Sequence, residues 1–181
     1  MQRMQSGRRN VQVEPLASED VERMAVLARE IWYDHYPKII TTAQIEYMLE
    51  QRYAAPVVRA ELDRSDVWWD KLVVDAELCG FSSFFLTEEP GTMKLDKLYV
   101  RTRLQRSGYG GLLIARALAQ ARQQGCRRLI LAVNKKNATA IAAYLKHGFR
   151  IADAVVKEIG DGFVMDDYVM EKGIESAPGG V

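Results

Sequence analysis

The chain holds only two cysteines, Cys79 and Cys126, and two histidines, His35 and His147, in 181 residues. Neither cysteine belongs to a C-x-x-C pair or sits near a cluster of metal-ligating residues, which argues against a disulfide scaffold and a structural zinc site. No apolar run approaches the roughly 18 to 20 residues that cross a bilayer, and the polar start MQRMQSGRRN lacks the apolar core of a signal peptide. Neither charge dominates: 25 Lys+Arg stand against 24 Asp+Glu, a net charge of +1. That balance argues against a general nucleic-acid binder, although a total can hide an uneven distribution. The expectation is a cytoplasmic protein that needs no metal and has no nucleic-acid or membrane partner. What the chain does have is 48% hydrophobic and 27% charged residues, the composition of an ordinary globular domain. A chain of this length buries roughly 70% of its extended surface, enough for a core without staples.

Residues 1–9 and 176–181 read as frayed ends, leaving a single domain over 10–175. A short strand over Val11 to Glu14 precedes Ser18, which is placed to cap a helix whose apolar residues Val21, Met24, Leu27, Ala28 and Ile31 recur at helical spacing. Pro37 stops it. Thr41 with Gln44 three residues on forms a capping-box pattern for a second helix, and Pro56 suits the first turn of a third. From Val67 the texture changes: VWWDKLVV, LCGFSSFFL and MKLDKLYV, split by short polar breaks, predict an antiparallel meander. A long helix ending before Gly125 follows, then RRLILAVN, whose apolar centre predicts a strand covered on both faces. Asn137 is placed to cap a helix ending at Gly148, and the chain closes in a hairpin turning at Gly160-Asp161-Gly162. This order predicts a mixed α/β sheet with flanking helices.

The chemistry concentrates in KLYVRTRLQRSGYGGLLIARAL. A strand ends near Val100, a loop carries Gln105 to Gly110, and a helix starts near Gly111. Glycines let a backbone approach a ligand, and the free N–H groups of a helix N-terminus cradle a pyrophosphate. The Gly-x-Gly-Gly pattern alone is a weak signal, because a tight turn with close helix packing uses it too. A dinucleotide fingerprint would follow the first strand of a parallel βαβ unit and carry an acidic residue about 20 positions on, where this chain has Leu129 to Val133. A P-loop would end in Gly-Lys-Ser/Thr, which this loop lacks.

The loop Gln105-Arg106-Ser107-Gly108-Tyr109-Gly110, together with Asn134, Asn137, Ala140, Tyr144 and Gly148-Phe149 downstream, resembles the GNAT superfamily of acyl-CoA-dependent N-acyltransferases. The element order fits over most of the chain. The resemblance implies a meander whose last strand splays from the next, parallel strand, with acetyl-CoA in the V between them. It implies that Leu98, Tyr99 and Val100 offer main-chain groups to pantetheine and that residues 106 to 111, Gly111 included, hold the pyrophosphate. Asn134 and Asn137 would contact the pantetheine arm, and Tyr144 would protonate the departing thiolate after direct attack by an amine. Helical geometry agrees: Asn137 and Tyr144 are seven residues apart, about 20° from eclipsed. The resemblance also implies that no acyl-enzyme forms, so the two cysteines read as packed thiols, and His147 reads as structural.

The neutral total conceals a split. Lys97 to Arg150 contains twelve basic residues and no acidic one, and the remainder holds 13 basic and 24 acidic. Within the basic stretch, Arg101, Arg103, Arg106, Lys135 and Lys136 flank the cofactor motifs and are the phosphate candidates. The acidic remainder is consistent with a cationic acceptor, a polyamine or a lysine or N-terminal amine. Trp32, His35, Tyr36 and Glu77 are acceptor-pocket candidates. Many relatives place a glutamate general base on the strand before the loop, where this chain has Lys94. Asp96 on the same face could substitute through a water, with His35 and Glu77 as rivals. Trp68 and Trp69 alternate, one toward the core and one toward a surface or partner. A homodimer through the C-terminal hairpin is what relatives suggest. The leading expectation is a small-molecule N-acetyltransferase; the alternatives are a protein N-acetyltransferase and a catalytically silent acyl-CoA sensor.

Overall fold

The computed structural model describes residues 9–175. The expected tail segments lie outside the described residues, save Arg9. In chain order the elements are β1 (Val11–Pro15), α1 (Val21–His35), α2 (Thr42–Tyr53), α3 (Ala55–Leu62), β2 (Val67–Val74), β3 (Glu77–Leu86), β4 (Thr92–Val100), α4 (Tyr109–Gln123), β5 (Arg128–Asn134), α5 (Ala138–Lys146), β6 (Arg150–Gly160) and β7 (Phe163–Gly173). They form a seven-stranded sheet in the order β1-β2-β3-β4-β5-β7-β6. β1 to β4 run antiparallel to their neighbours, β4 and β5 are parallel, and β7 lies antiparallel between β5 and β6.

The predicted stripe of α1 is the buried one: Val21, Met24, Leu27, Ala28 and Ile31 are at most 2% exposed. They join α2, α3, Trp69 and Phe81 in a core on one face of the sheet. On the other face α4 buries Ile114, Ala117 and Ala121 against Phe84, Met93, Leu95, Leu129 and Leu131. Each large aliphatic side chain so buried contributes roughly 1.5–3 kcal/mol. Trp69 is the tryptophan that faces the core, whereas Trp68 is half-buried on the other face, stacked on Phe84 with centroids 6.1 Å apart.

Local signals act mostly as the sequence predicts. Gly125 (φ +69°) ends α4, with the Cys126 N–H donating to Ala121 O at 2.9 Å. Asn137 Oδ1 caps α5 by accepting the Ala140 N–H at 3.2 Å. Three details differ. Ser18–Asp20 forms a single 3₁₀ turn ahead of α1. There buried Asp20, rather than Ser18, accepts the Ala17 N–H at 3.3 Å while also bonding Lys71 Nζ at 2.5 Å. Thr41 Oγ1 accepts the Gln44 N–H, but the Gln44 side chain leaves the box open and donates to Val164 O at 3.1 Å, tying α2 to β7. In β5 Leu129, Leu131 and Val133 are buried, whereas Ile130 is half-buried and Ala132 exposed. The strand is covered on one face only, because Ile130 and Ala132 line a cleft.

One irregularity in β4 decides where its side chains go. Ser83 pairs with Lys97 and Phe84 with Leu95, leaving Asp96 as the extra residue of a β-bulge. Before the bulge Lys94 faces Asp167 across the α1–α3 side and Leu95 packs under α4. After it the parity is reversed: Leu98 packs on the α4 side and Tyr99 joins the α1–α3 core. Asp96 and Lys97 end on the same side, against α2 and α3, where they meet Arg52 and Glu61.

Candidate active site

β4 and β5 pair only from Thr92/Arg128 to Leu95/Leu131. Beyond that point each strand stays with its outer neighbour, β4 with β3 as far as Val100 and β5 with β7 as far as Asn134. The strands part, and a cleft of about 1680 Å³ opens between them, walled by the starts of α4 and α5 and by the α1–α2 region. The splay that the motif resemblance implies is present in the pairing register.

One half of the cleft is built of backbone. Leu98, Tyr99, Val100, Gln105, Arg106, Gly108, Tyr109, Gly110 and Gly111 line it. Gly108 sits at φ +83°, and a Cβ added there would meet nothing within 4 Å; one added at Gly110 would meet only Leu98. This is a cradle that side chains would fill and that α4 caps with its N-terminal dipole. α4 starts at Tyr109, earlier than the sequence predicts, because left-handed Gly108 supplies the turn directly before it. The Tyr109 side chain is buried among Leu72, Val100 and Leu113, so only its backbone serves the loop. Gln105 Nε2 donates to Val100 O at 3.3 Å and fixes the loop to the strand end. Ser107 is exposed and is not a lining residue. Asn134 Oδ1 accepts the Lys136 N–H at 2.9 Å, and Asn137 Oδ1 serves as the α5 cap. Both side-chain oxygens are thus committed to the β5–α5 turn, and both residues line the cleft.

Most of the expected phosphate cations are occupied elsewhere. Arg101 pairs with Glu30 and Glu77, Arg103 with Glu77, and Lys135 with Asp166. Arg106 lines the cleft without an ion pair among the described residues, as does Lys146, which the sequence did not single out. The same pairs remove Glu77 from the acceptor side. It is exposed at the start of β3 and lines a separate groove with Glu22 and Val26.

Tyr144 projects from α5 into the cleft, edge-on to Phe149 with centroids 5.7 Å apart. Burial pushes its phenol up to about 12. His147 packs on Gly111, where a Cβ would come within 2.8 Å of its ring, and so joins the end of α5 to the start of α4.

The other half is aromatic. Trp32, Tyr36, Tyr53 and Tyr99 form a cluster with centroid spacings of 4.3 to 6.5 Å. The buried Trp32 Nε1 has no hydrogen-bond partner among the described residues. The Tyr36 and Tyr99 hydroxyls are 3.1 Å apart. Burial raises both phenols well above their ordinary value; the charge of Tyr99 adds to the effect at Tyr36, as do those of Tyr144 and Asp167. His35 lies half-buried on the cleft wall, edge-on to Tyr36 at 4.9 Å.

Asp96 is fully engaged. Arg52 Nη2 reaches its two oxygens at 2.7 and 2.6 Å, and Lys97 Nζ approaches at 2.6 Å. Burial alone would raise this carboxyl, but the charges of Lys97 and Arg52 outweigh it and hold the group well below the usual carboxylate range. A base working near neutrality needs the opposite shift. Two cleft residues escaped the sequence reading. Lys94, lowered chiefly by burial, was seen only as the replacement for a glutamate. Asp167 was hidden in FVMDDYVMEK, although strand alternation puts it on one face with Met165 and Val169, all three lining the cleft. Among the described residues no group of three or more His, Cys, Asp and Glu is placed to hold a metal ion.

Residues 24–149 match the family model described as the acetyltransferase (GNAT) family. The chain is similar to a spermidine N(1)-acetyltransferase of Thermoplasma acidophilum, 26% identical over 171 residues that span 92% of this chain and 99% of that protein. Among solved structures it is similar to the PaiA N-acetyltransferase from Thermoplasma acidophilum in complex with coenzyme A, with a TM-score of 0.79 and 25% identity, covering 91% of this chain and 99% of that one. It shares the fold of the ribosomal-protein-S18-alanine N-acetyltransferase from Escherichia coli, with a TM-score of 0.66 and 19% identity over 94% of this chain and 97% of that one.

Proposed function

The chain belongs to the acetyltransferase (GNAT) family of acyl-CoA-dependent transferases, and from that premise we propose that it moves an acetyl group from acetyl-CoA to a primary amine by direct attack, with a small cationic amine such as a polyamine as acceptor. The observation that carries this reading is the parting of β4 and β5 after Leu95 and Leu131, with the Gly108 cradle on one wall and Tyr144 on another. The residues fit the donor. Backbone of Leu98 to Val100 runs along the splay, residues 106 to 111 present a glycine-lined helix N-terminus to the phosphates, and Arg106 adds an uncommitted cation. Asn134 and Asn137 border the same space. Acetyl-CoA supplies the activated acyl carbon when bound.

Tyr144 gives its proton to the sulfur as the thioester opens. A phenol held near 12 stays protonated at neutral pH and is available as an acid in every turnover. Trp32, His35 and Tyr36 form the acceptor wall, facing the cleft from the end of α1 and the turn that follows it. The polyamine class is supported by the similarity to the spermidine N(1)-acetyltransferase. A cytoplasmic setting goes with this reading, as does a homodimer through the edge strand β6 and its hairpin, where Ile151, Val156 and Val164 leave apolar surface exposed.

The test is acetyl-CoA-dependent thiol release with spermidine, other primary amines and lysine peptides as acceptors. Turnover with small amines and none with peptides supports the proposal. Tight acetyl-CoA binding with no acceptor-dependent release overturns it.

A further inference from the structure

Four acidic residues carry side chains held almost out of solvent: Asp20, Asp70, Asp96 and Asp167. Asp20 has Lys71 at 2.5 Å, Asp70 has Arg116 at 3.3 Å, and Asp96 has Arg52 and Lys97 at 2.6 Å. Asp167 is 9% exposed, and its Oδ1 is shut off from solvent without a hydrogen-bond partner. Among the described residues no cation lies within ion-pair distance of it. A buried carboxylate is normally paired, and one that is not stands in need of a donor.

Its position says which donor. β7 sets Asp167 opposite Asn134 on β5, at the mouth of the splay, and opposite Val155 on β6. With Met165 and Val169 it lines the same cleft as Tyr36, Tyr99 and Tyr144. We infer that Asp167 is the carboxylate that receives the acceptor's ammonium group and takes its surplus proton before attack. This deepens the transfer reading above and rests on it.

The surroundings suit the task. Burial raises the Asp167 carboxyl, Lys94 on β4 opposes that, neighbouring Asp166 adds to it, and Lys135 after β5 and Arg52 on α2 oppose it. Tyr36, from the turn after α1, lines the same cleft, and the Asp167 charge helps to raise its phenol. The group is therefore more basic than an ordinary aspartate, unlike Asp96.

The acceptor enters as R–NH₃⁺. One N–H bond breaks, its electron pair stays on nitrogen, and the proton moves to Asp167, leaving R–NH₂ and a neutral carboxylic acid. The nitrogen pair forms the N–C bond at the thioester carbonyl, the C–S bond breaks with its pair on sulfur, and Tyr144 protonates that sulfur. The nitrogen's remaining surplus proton returns to the Tyr144 phenolate, and Asp167 releases its proton to solvent. Ammonium and thioester have become amide, thiol and one proton.

The experiment compares wild type, Asp167→Asn and Asp167→Glu with spermidine as the probe amine. For Asp167→Asn, kcat/KM should fall about 10²-fold or more, with acetyl-CoA affinity unchanged by calorimetry and the melting temperature equal or higher, since an unpaired buried charge is gone. The wild-type kcat/KM should level off above the carboxyl's pKa; in Asp167→Asn it should climb with unit slope toward the amine's own pKa. Asp167→Glu should restore a plateau at a shifted position, and it decides the matter should the Asn variant fail to fold. A wild-type plateau and turnover retained in Asp167→Asn, or a lowered melting temperature with an unmoved profile, overturns the inference. Wild type that binds acetyl-CoA yet releases no thiol with any amine overturns the transfer reading itself.

Discussion

The hydroxyls of Tyr36 and Tyr99 meet at 3.1 Å, joining the turn after α1 to the segment of β4 beyond its bulge. Both phenols are held up by burial, as is Tyr144, at about 12. Phenols whose folded pKa exceeds the unfolded value of about 10 contribute stability that is whole below that pH and falls as pH rises toward the folded value. Ultraviolet titration of the folded protein should therefore leave these tyrosines un-ionised after exposed ones have titrated. Urea midpoints should drop from about pH 10 upward. Full ionisation of every tyrosine by pH 11 in a protein that remains folded would refute the burial assigned to them.

Tyr144→Phe keeps the ring against Phe149 and removes only the hydroxyl that would carry the proton. Turnover should fall roughly 10²- to 10⁴-fold, with acetyl-CoA affinity within a factor of about two. A single-turnover experiment is the check, because it isolates the chemical step. Unchanged chemistry there would take the acid role away from Tyr144.

Asp96→Asn should behave as a structural change. Leaving Lys97 and Arg52 without their shared anion should cost on the order of 3–5 kcal/mol in urea unfolding. Because the Asp96 pKa is depressed, its contribution is present above the unfolded value of about 3.9 and is lost as pH falls below it. The wild-type advantage should thus shrink in acid. The pH–rate profile of the variant should match wild type. A vanished limb would restore Asp96 as a base, and the parallel His35→Ala variant asks the same of His35.

Gly80→Ala tests how closely β3 and β4 must approach. The added Cβ would come within 2.6 Å of Tyr99 O and 3.2 Å of Leu72. Backbone cannot yield as a flexible side chain does, so a loss of about 1–3 kcal/mol is expected, together with weaker acetyl-CoA binding as the Tyr99 carbonyl shifts. Calorimetry alongside denaturation separates the two effects. Wild-type values in both would show that β4 moves freely.

Much of this architecture is legible in the residues because local rules write it. The α1 stripe, the Asn137 cap and the Gly125 and Gly148 stops depend on neighbours within a turn or two, and the glycine loop declares its conformation by composition. What escaped depends on distant partners. No periodicity shows that Glu77 is claimed by Arg101 and Arg103, or that Arg52 reaches across from α2 to neutralise Asp96. The twelve basic residues between Lys97 and Arg150 suggested a phosphate field, yet several of them serve as internal counter-ions. Asp167 was readable in part, since its parity with Met165 and Val169 marks it as inward. Its lack of a partner is a three-dimensional fact.

The extra residue in β4 gives the strand something like a reading frame. Were Asp96 instead to take a regular place in the ladder, alternation would run unbroken from Thr92 to Val100. Leu98 and Tyr99 would then trade layers: an aliphatic side chain would face the Tyr36 hydroxyl, and a phenol would be set beneath α4 with nothing polar arranged for it. The composition of the strand would not change, and each residue would keep its identity. The cleft wall would nonetheless be lost, because it is specified by a count of residues as much as by their kinds.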